Sequence, residues 1–209
     1  MEEQKINEKE SIELIATMIS RTRNRLYEGY GRVFLLWGYV VLGVSALVWG
    51  LLYATRCQQV NWLWFLIWII GGVLTPVLSR RQREEVGAQS YSDKICSALW
   101  TVVGISAIAC TAVCLLLMLV WGYDCWRVMF VFALLIVGII EVAHGIVVDE
   151  TSLKVGGSVG VFAGIVTMAL VSANVPLMAN LYLPLFMVAF VCMMIIPGHV
   201  LNSKSKRQK

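Results

Sequence analysis

Six long apolar runs separated by short polar connections limit what this chain can fold into more than any other feature. They are Val33 to Ala54, Trp62 to Ser79, Ile95 to Trp121, Val128 to Val148, Val155 to Val175 and Leu177 to Ile196. Crossing ~30 Å of hydrocarbon takes ~20 helical residues at 1.5 Å each, and every run meets this, the second by a narrow margin. A helix on a water-soluble core carries an apolar stripe of period 3.6 opposite a charged face. These runs are apolar all round and nearly free of charge. With 59% hydrophobic and 14% charged residues, the chain has too little polar side chain to coat a soluble globule. The pattern predicts an all-α polytopic membrane protein. One six-helix bundle is expected over residues 33–200, between a leader at 1–32 and a basic tail at 201–209. The first run is too long for a signal-peptide core and follows a charged leader, so no cleavable signal is expected.

Charge sets the expected orientation. Six basic residues precede the first run (Lys5, Lys9, Arg21, Arg23, Arg25, Arg32) and four lie between the second and third (Arg80, Arg81, Arg83, Lys94). Lys154 follows the fourth run, and Lys204, Lys206, Arg207 and Lys209 form the tail. Of the 17 basic residues only Arg56 and Arg127 fall in the other connections. Six crossings put the majority on one side, and the positive-inside rule makes that side, with both termini, cytoplasmic. Trp49, Tyr53, Trp62, Trp64, Trp121, Tyr123, Trp126 and Tyr182 then belong to the outer interface. The net charge of +4 reflects this orientation and attraction to anionic lipid, not nucleic-acid binding.

The leader reads as a helix from Glu8 to Leu26. Asn7 and Glu10 resemble a capping box, and early Glu8, Glu10 and Glu13 with late Arg21, Arg23 and Arg25 complement the helix dipole. Ile12, Ile15, Ile19 and Leu26 share one face, giving an amphipathic cytoplasmic helix. It could lie on the inner leaflet, on the protein's own loops or against a cytosolic partner. In the fifth run, Gly156, Gly160 and Gly164 form a small-xxx-small ridge for close helix packing, inside the bundle or between two copies of the chain. Pro184 should bend the sixth run, and Pro197-Gly198 should end it. Leu47-Val48-Trp49-Gly50 and Leu119-Val120-Trp121-Gly122, each followed by an outer loop with one cysteine, suggest repeated hairpins.

Glu141 is the one acidic residue inside a crossing, and His144 follows one turn later on the same face. An intramembrane carboxyl costs several kcal/mol unless protonated, hydrated or paired. Three readings stand: a proton or cation relay, a metal site built on Glu-x-x-His, or a pair satisfied by nearby hydroxyls or the inner interface. Hydrolase, metalloprotease and phosphate-loop motifs are missing from the sequence, which points away from an enzyme. No cofactor is expected. His199, after Pro197-Gly198, is expected to cap or flank the last helix. Cys96, Cys110, Cys114 and Cys192 read as small apolar residues within helices. Cys57 and Cys125, both placed outside, could form a disulfide in an oxidising compartment if their Cα atoms come within about 7 Å.

Phe34-Leu35-Leu36-Trp37-Gly38-Tyr39 after an Arg-rich amphipathic leader, with Ile195-Ile196-Pro197-Gly198-His199-Val200-Leu201 at the end, resembles a family of uncharacterised six-helix inner-membrane proteins of gut anaerobes. His199 departs from the aromatic residue usual in that closing signature. The resemblance implies a shared fold, residence in a bacterial inner membrane and no established activity; the small winged-helix regulator that often neighbours members of the family hints at a regulatory or envelope-stress role. The expectation is therefore a non-enzymatic scaffold or signalling component acting through its leader and inner loops. The alternative is a small secondary transporter or proton-coupled permease using Glu141.

Overall fold

The computed structural model describes the backbone of residues 8–86 and 91–207 and, within them, the side chains of residues 12, 13, 30–80 and 91–206. Every long element is helical, and no strand occurs among the described residues. In chain order they are α1 (Glu8–Thr55), a 3-10 turn (Gln58–Trp64), α2 (Phe65–Val86), α3 (Tyr91–Trp121), α4 (Arg127–Val131), a π segment (Phe132–Ile136), α5 (Val137–Val147), α6 (Thr151–Ser172), α7 (Ala179–Phe190), a second π segment (Val191–Ile195) and α8 (Ile196–Arg207). They provide six spans long and apolar enough to cross a membrane: Tyr30–Thr55, Gln58–Arg80, Tyr91–Trp121, Arg127–Val147, Thr151–Ser172 and Ala179–Lys206. This is the multi-pass architecture that the apolar runs predict. The leader positions continue into the first span as one helix, and the side chains that would form its amphipathic face, Ile15, Ile19 and Leu26, lie outside the described residues.

Span ends are written into local chemistry. Asp149 and Asn174 take left-handed φ values of 53° and 55°, closing α5 and α6. The next amide in each case bonds five residues back, Glu150 to Gly145 at 2.8 Å and Val175 to Leu170 at 2.9 Å, satisfying otherwise orphaned carbonyls. At the start of α6, Glu150 accepts from the amide of Ser152, as a capping carboxylate does.

Spans one, four, five and six form the compact part, held by glycines at the crossings. A Cβ on Gly31 would fall 3.1 Å from the carbonyl oxygen of Gly198 and 3.2 Å from the amide of Asn202, so the start of span one and the end of span six share a face. A Cβ on Gly138 would meet the amide of Val161 at 2.8 Å, and one on Gly157 the carbonyl of Gly138 at 2.7 Å. Such closeness supplies packing where lipid gives helices no hydrophobic reason to associate. One expectation is corrected. The sixth helix does not end at Pro197-Gly198: α8 carries on to Arg207. Pro197 sits just beyond the π segment, where Ile196 bonds back to Val191, and the altered register accommodates a residue without an amide hydrogen. Trp64 and Tyr182, both half-buried, form a ring cluster with Phe130 and Phe186, ring centroids 5.1–6.3 Å apart.

Spans two and three stand apart from this core. α2 docks on α1, where the Trp37 ring covers Gly71 and its Nε1 donates to Thr75 Oγ1 at 3.0 Å. α3 packs on α5 and α4, with no comparable packing between α2 and α3.

Candidate functional site

Glu141 is buried because the α5–α6 hairpin closes over it. Gly138 and Gly145 flank it by three and four residues, and a Cβ on either would lie 2.8 Å from an α6 amide, Val161 or Lys154. Its carboxyl points at the joint between α6 and the last span. A Cβ on Gly156 would fall 3.0 Å from Glu141 Oε1, 2.8 Å from the Cys192 carbonyl and 2.8 Å from Pro197 Cγ. Glu141 has no exposed surface, and among the described residues neither carboxyl oxygen has a hydrogen-bond partner. Polar atoms left so in an apolar interior cost about 1–3 kcal/mol even when neutral, and far more when charged.

His144, one turn on, is equally buried. Its Nδ1 accepts from Trp100 Nε1 at 2.9 Å, which puts the proton of a neutral ring on Nε2, an atom without a partner. Tyr30 meets the ring at a centroid distance of 4.4 Å and Phe34 at 5.6 Å. The Tyr30 hydroxyl in turn donates to the Asp93 carbonyl at 3.3 Å. The sequence places Glu141 and His144 on one face, and the structure buries both there; it supplies no hydroxyl for Glu141. Among the described residues no three His, Cys, Asp or Glu side chains gather where they could hold a metal.

Tyr30, Phe34 and Trp100 are at once the shell around His144 and the wall of a cavity of about 1550 Å³. The cavity lies between α2, α3 and the compact part, is partly open, and exceeds the roughly 300–1,000 Å³ of ordinary ligand pockets. Its lining on α1 runs from Tyr30 to Leu52, about 33 Å of helix at 1.5 Å per residue, which is comparable to the thickness of a bilayer's hydrocarbon core. Aromatic side chains line its middle, including Trp37, Trp64, Trp68 and Phe190. The end at Arg56 and Arg127 is polar and adds Gln58, Asn61, Asp124 and Asn180.

The remaining candidates fall elsewhere. Gly156, Gly160 and Gly164 are all buried inside the bundle, with the Met193 side chain over Gly160 and Leu135 backbone 2.5–2.6 Å from a Cβ on Gly164. Cys57 and Cys125 are free thiols; Cys57 is exposed, and Cys125 offers its carbonyl to Cys114 Sγ at 3.8 Å. His199 pairs with the Tyr39 hydroxyl at 2.8 Å in mid-helix rather than at a helix end. Glu150, which no sequence motif singles out, is 1% exposed and held by Lys204 Nζ at 2.8 Å from both oxygens. Its position just before the apolar α6 marks it as a cap, but nothing local reveals a partner 54 residues away. Trp100 was equally hidden, one indole among the chain's eight tryptophans. No protein-family model, curated protein or solved structure matches the chain.

Proposed function

We propose that this chain is a small secondary transporter of a bacterial inner membrane, non-enzymatic, with both termini cytoplasmic and Glu141 as its proton-carrying group. The observation that carries the reading is the isolation of that carboxyl. It is fully buried and, among the described residues, unpartnered on both oxygens, and it sits one turn along α5 from His144, which touches the wall of a bilayer-long cavity. A carboxyl in that setting needs a bound proton or a cation, and a group that must exchange one to become charged couples proton occupancy to the helices around it. Those helices are Gly156 on α6 and the π-to-α8 joint of span six. Single-turn π segments are adjustable points in a helix, and spans four and six each carry one at mid-length. His144, one turn along α5 from the acid, meets the cavity wall through Trp100 and Tyr30. The scaffolding reading rests on the leader, whose side chains from 14 to 29 lie outside the described residues.

The test is reaction with an apolar carbodiimide, which attacks protonated carboxyls within membranes, read by peptide mass spectrometry between about pH 5 and 8. Glu141 should be the modified acid of the spans, His144→Ala should change the pH response, and Glu141→Gln should remove the product. Absence of reaction across that range, together with a stoichiometric cytosolic partner on tag purification, would return the chain to a scaffold.

A further inference from the structure

We infer that the molecule taken by the cavity is an anionic membrane lipid that enters sideways between α2 and α3. Its tails lie along the aromatic wall and its headgroup sits at Arg56 and Arg127. The inference rests on the cavity being a binding site and names what it binds. A water-soluble substrate finds few partners along this wall, where Trp37, Trp64, Trp68, Phe186 and Phe190 dominate and the hydroxyls of Thr75, Thr101 and Thr111 are already engaged with Trp37 Nε1 and with the Ser97 and Ala107 carbonyls. An acyl chain needs none. The opening to the bilayer lies between α2 and α3, which among the described residues pack far less on each other than on the compact part. Gly72 and Gly104, which line the cavity from opposite sides, have no atom within 4 Å of a would-be Cβ, so the space is wide at that level.

Charge selects the headgroup. Arg56 and Arg127, the two basic residues of this face, both line the polar end, and the ion pairs described in the molecule, Lys154–Asp149 and Lys204–Glu150, involve neither. The acid there, Asp124, already accepts from the Trp126 amide at 3.1 Å. Two guanidinium forks near one carboxylate leave a net positive mouth, and guanidinium matches phosphate oxygens in pairs of parallel hydrogen bonds. Gln58, Asn61 and Asn180 add amide donors for a polar headgroup.

Full-length protein, delipidated in detergent, is titrated by native mass spectrometry with phosphatidylglycerol or phosphatidylcholine of identical acyl chains. Wild type should bind the anionic lipid roughly tenfold more tightly. The Arg56→Ala/Arg127→Ala double variant should lose that preference while still binding both lipids through their tails. Gly104→Phe, which fills open space, should weaken both lipids about tenfold with thermal unfolding unchanged, and Gly72→Phe from the other wall repeats the test should the first fail to fold. Equal wild-type affinity for the two lipids overturns the headgroup assignment, and unaltered binding in folded Gly104→Phe and Gly72→Phe proteins overturns the cavity as the site. Lipid binding without proton chemistry at Glu141 would sink the transport reading and leave this one standing.

Discussion

Glu141 and Glu150 lie on one helical hairpin, both buried and surrounded in opposite ways. Glu150 has a lysine on both oxygens and the Ser152 hydroxyl at 3.0 Å, so its charge is met; Glu141 has nothing. Their substitutions should therefore move stability in opposite directions. Lys204→Ala strands a buried carboxylate and should destabilise by about 1–3 kcal/mol, more than Glu150→Gln, which removes the charge itself. Glu141→Leu removes unsatisfied polar atoms and should stabilise by roughly 1–3 kcal/mol. Thermal unfolding in detergent ranks the three; a Glu141→Leu protein less stable than wild type would mean the acid has a stabilising role that its surroundings do not reveal. The sequence exposes one of these acids and hides the other for a simple reason. A charge inside an apolar run is conspicuous by itself, whereas the role of Glu150 depends on Lys204 of the tail, and hydropathy carries no information about which helix ends meet.

At the scale of the helix, the small-residue ridge of α6 was legible and its neighbours were not. Spacing alone identifies Gly156, Gly160 and Gly164 as a surface for close approach, but Met193 and Leu135 belong to π segments that no apolar pattern encodes. The same limit explains the misjudged end of span six. Pro197-Gly198 is a helix terminator by local rules, yet here the proline follows a π turn and a Cβ on Gly198 would lie 2.9 Å from Leu35 Cγ, so tertiary packing keeps the helix going. A substitution pair separates crowding from helix propensity. Gly160→Leu must displace the Met193 side chain and should cost more than the ~1–3 kcal/mol typical of overpacking, losing the folded monomer on size exclusion. Gly43→Leu, on a helix with nothing within 4 Å, should elute as wild type. If Gly160→Leu only splits a dimer into folded monomers, the ridge joins two copies of the chain instead.

The whole molecule is an even-numbered bundle of two parts, four spans packed tightly and two standing off to enclose the cavity. The count was readable because the cost of burying charge in lipid is large and local. The cavity was not, because apolar residues facing lipid and apolar residues facing a cavity look alike in sequence. Evenness has structural support beyond hydropathy: the start of span one touches the end of span six through Gly31, Gly198 and Asn202, which an odd number of crossings would place on opposite faces. Orientation rests on charge alone, with Lys154 and Lys204 near that shared face and Arg56 and Arg127 opposite. It leads to a prediction with three independent readings. A reporter fused after Lys209 should be active only as a cytoplasmic fusion, and one inserted between residues 55 and 61 only as an external one. On intact cells, a membrane-impermeant maleimide should label Cys57, which is exposed, and spare Cys114, which is buried. Labelling of Cys57 only after the cells are opened would invert the protein, placing its basic face outside and the arginine mouth of the cavity at the cytoplasmic leaflet.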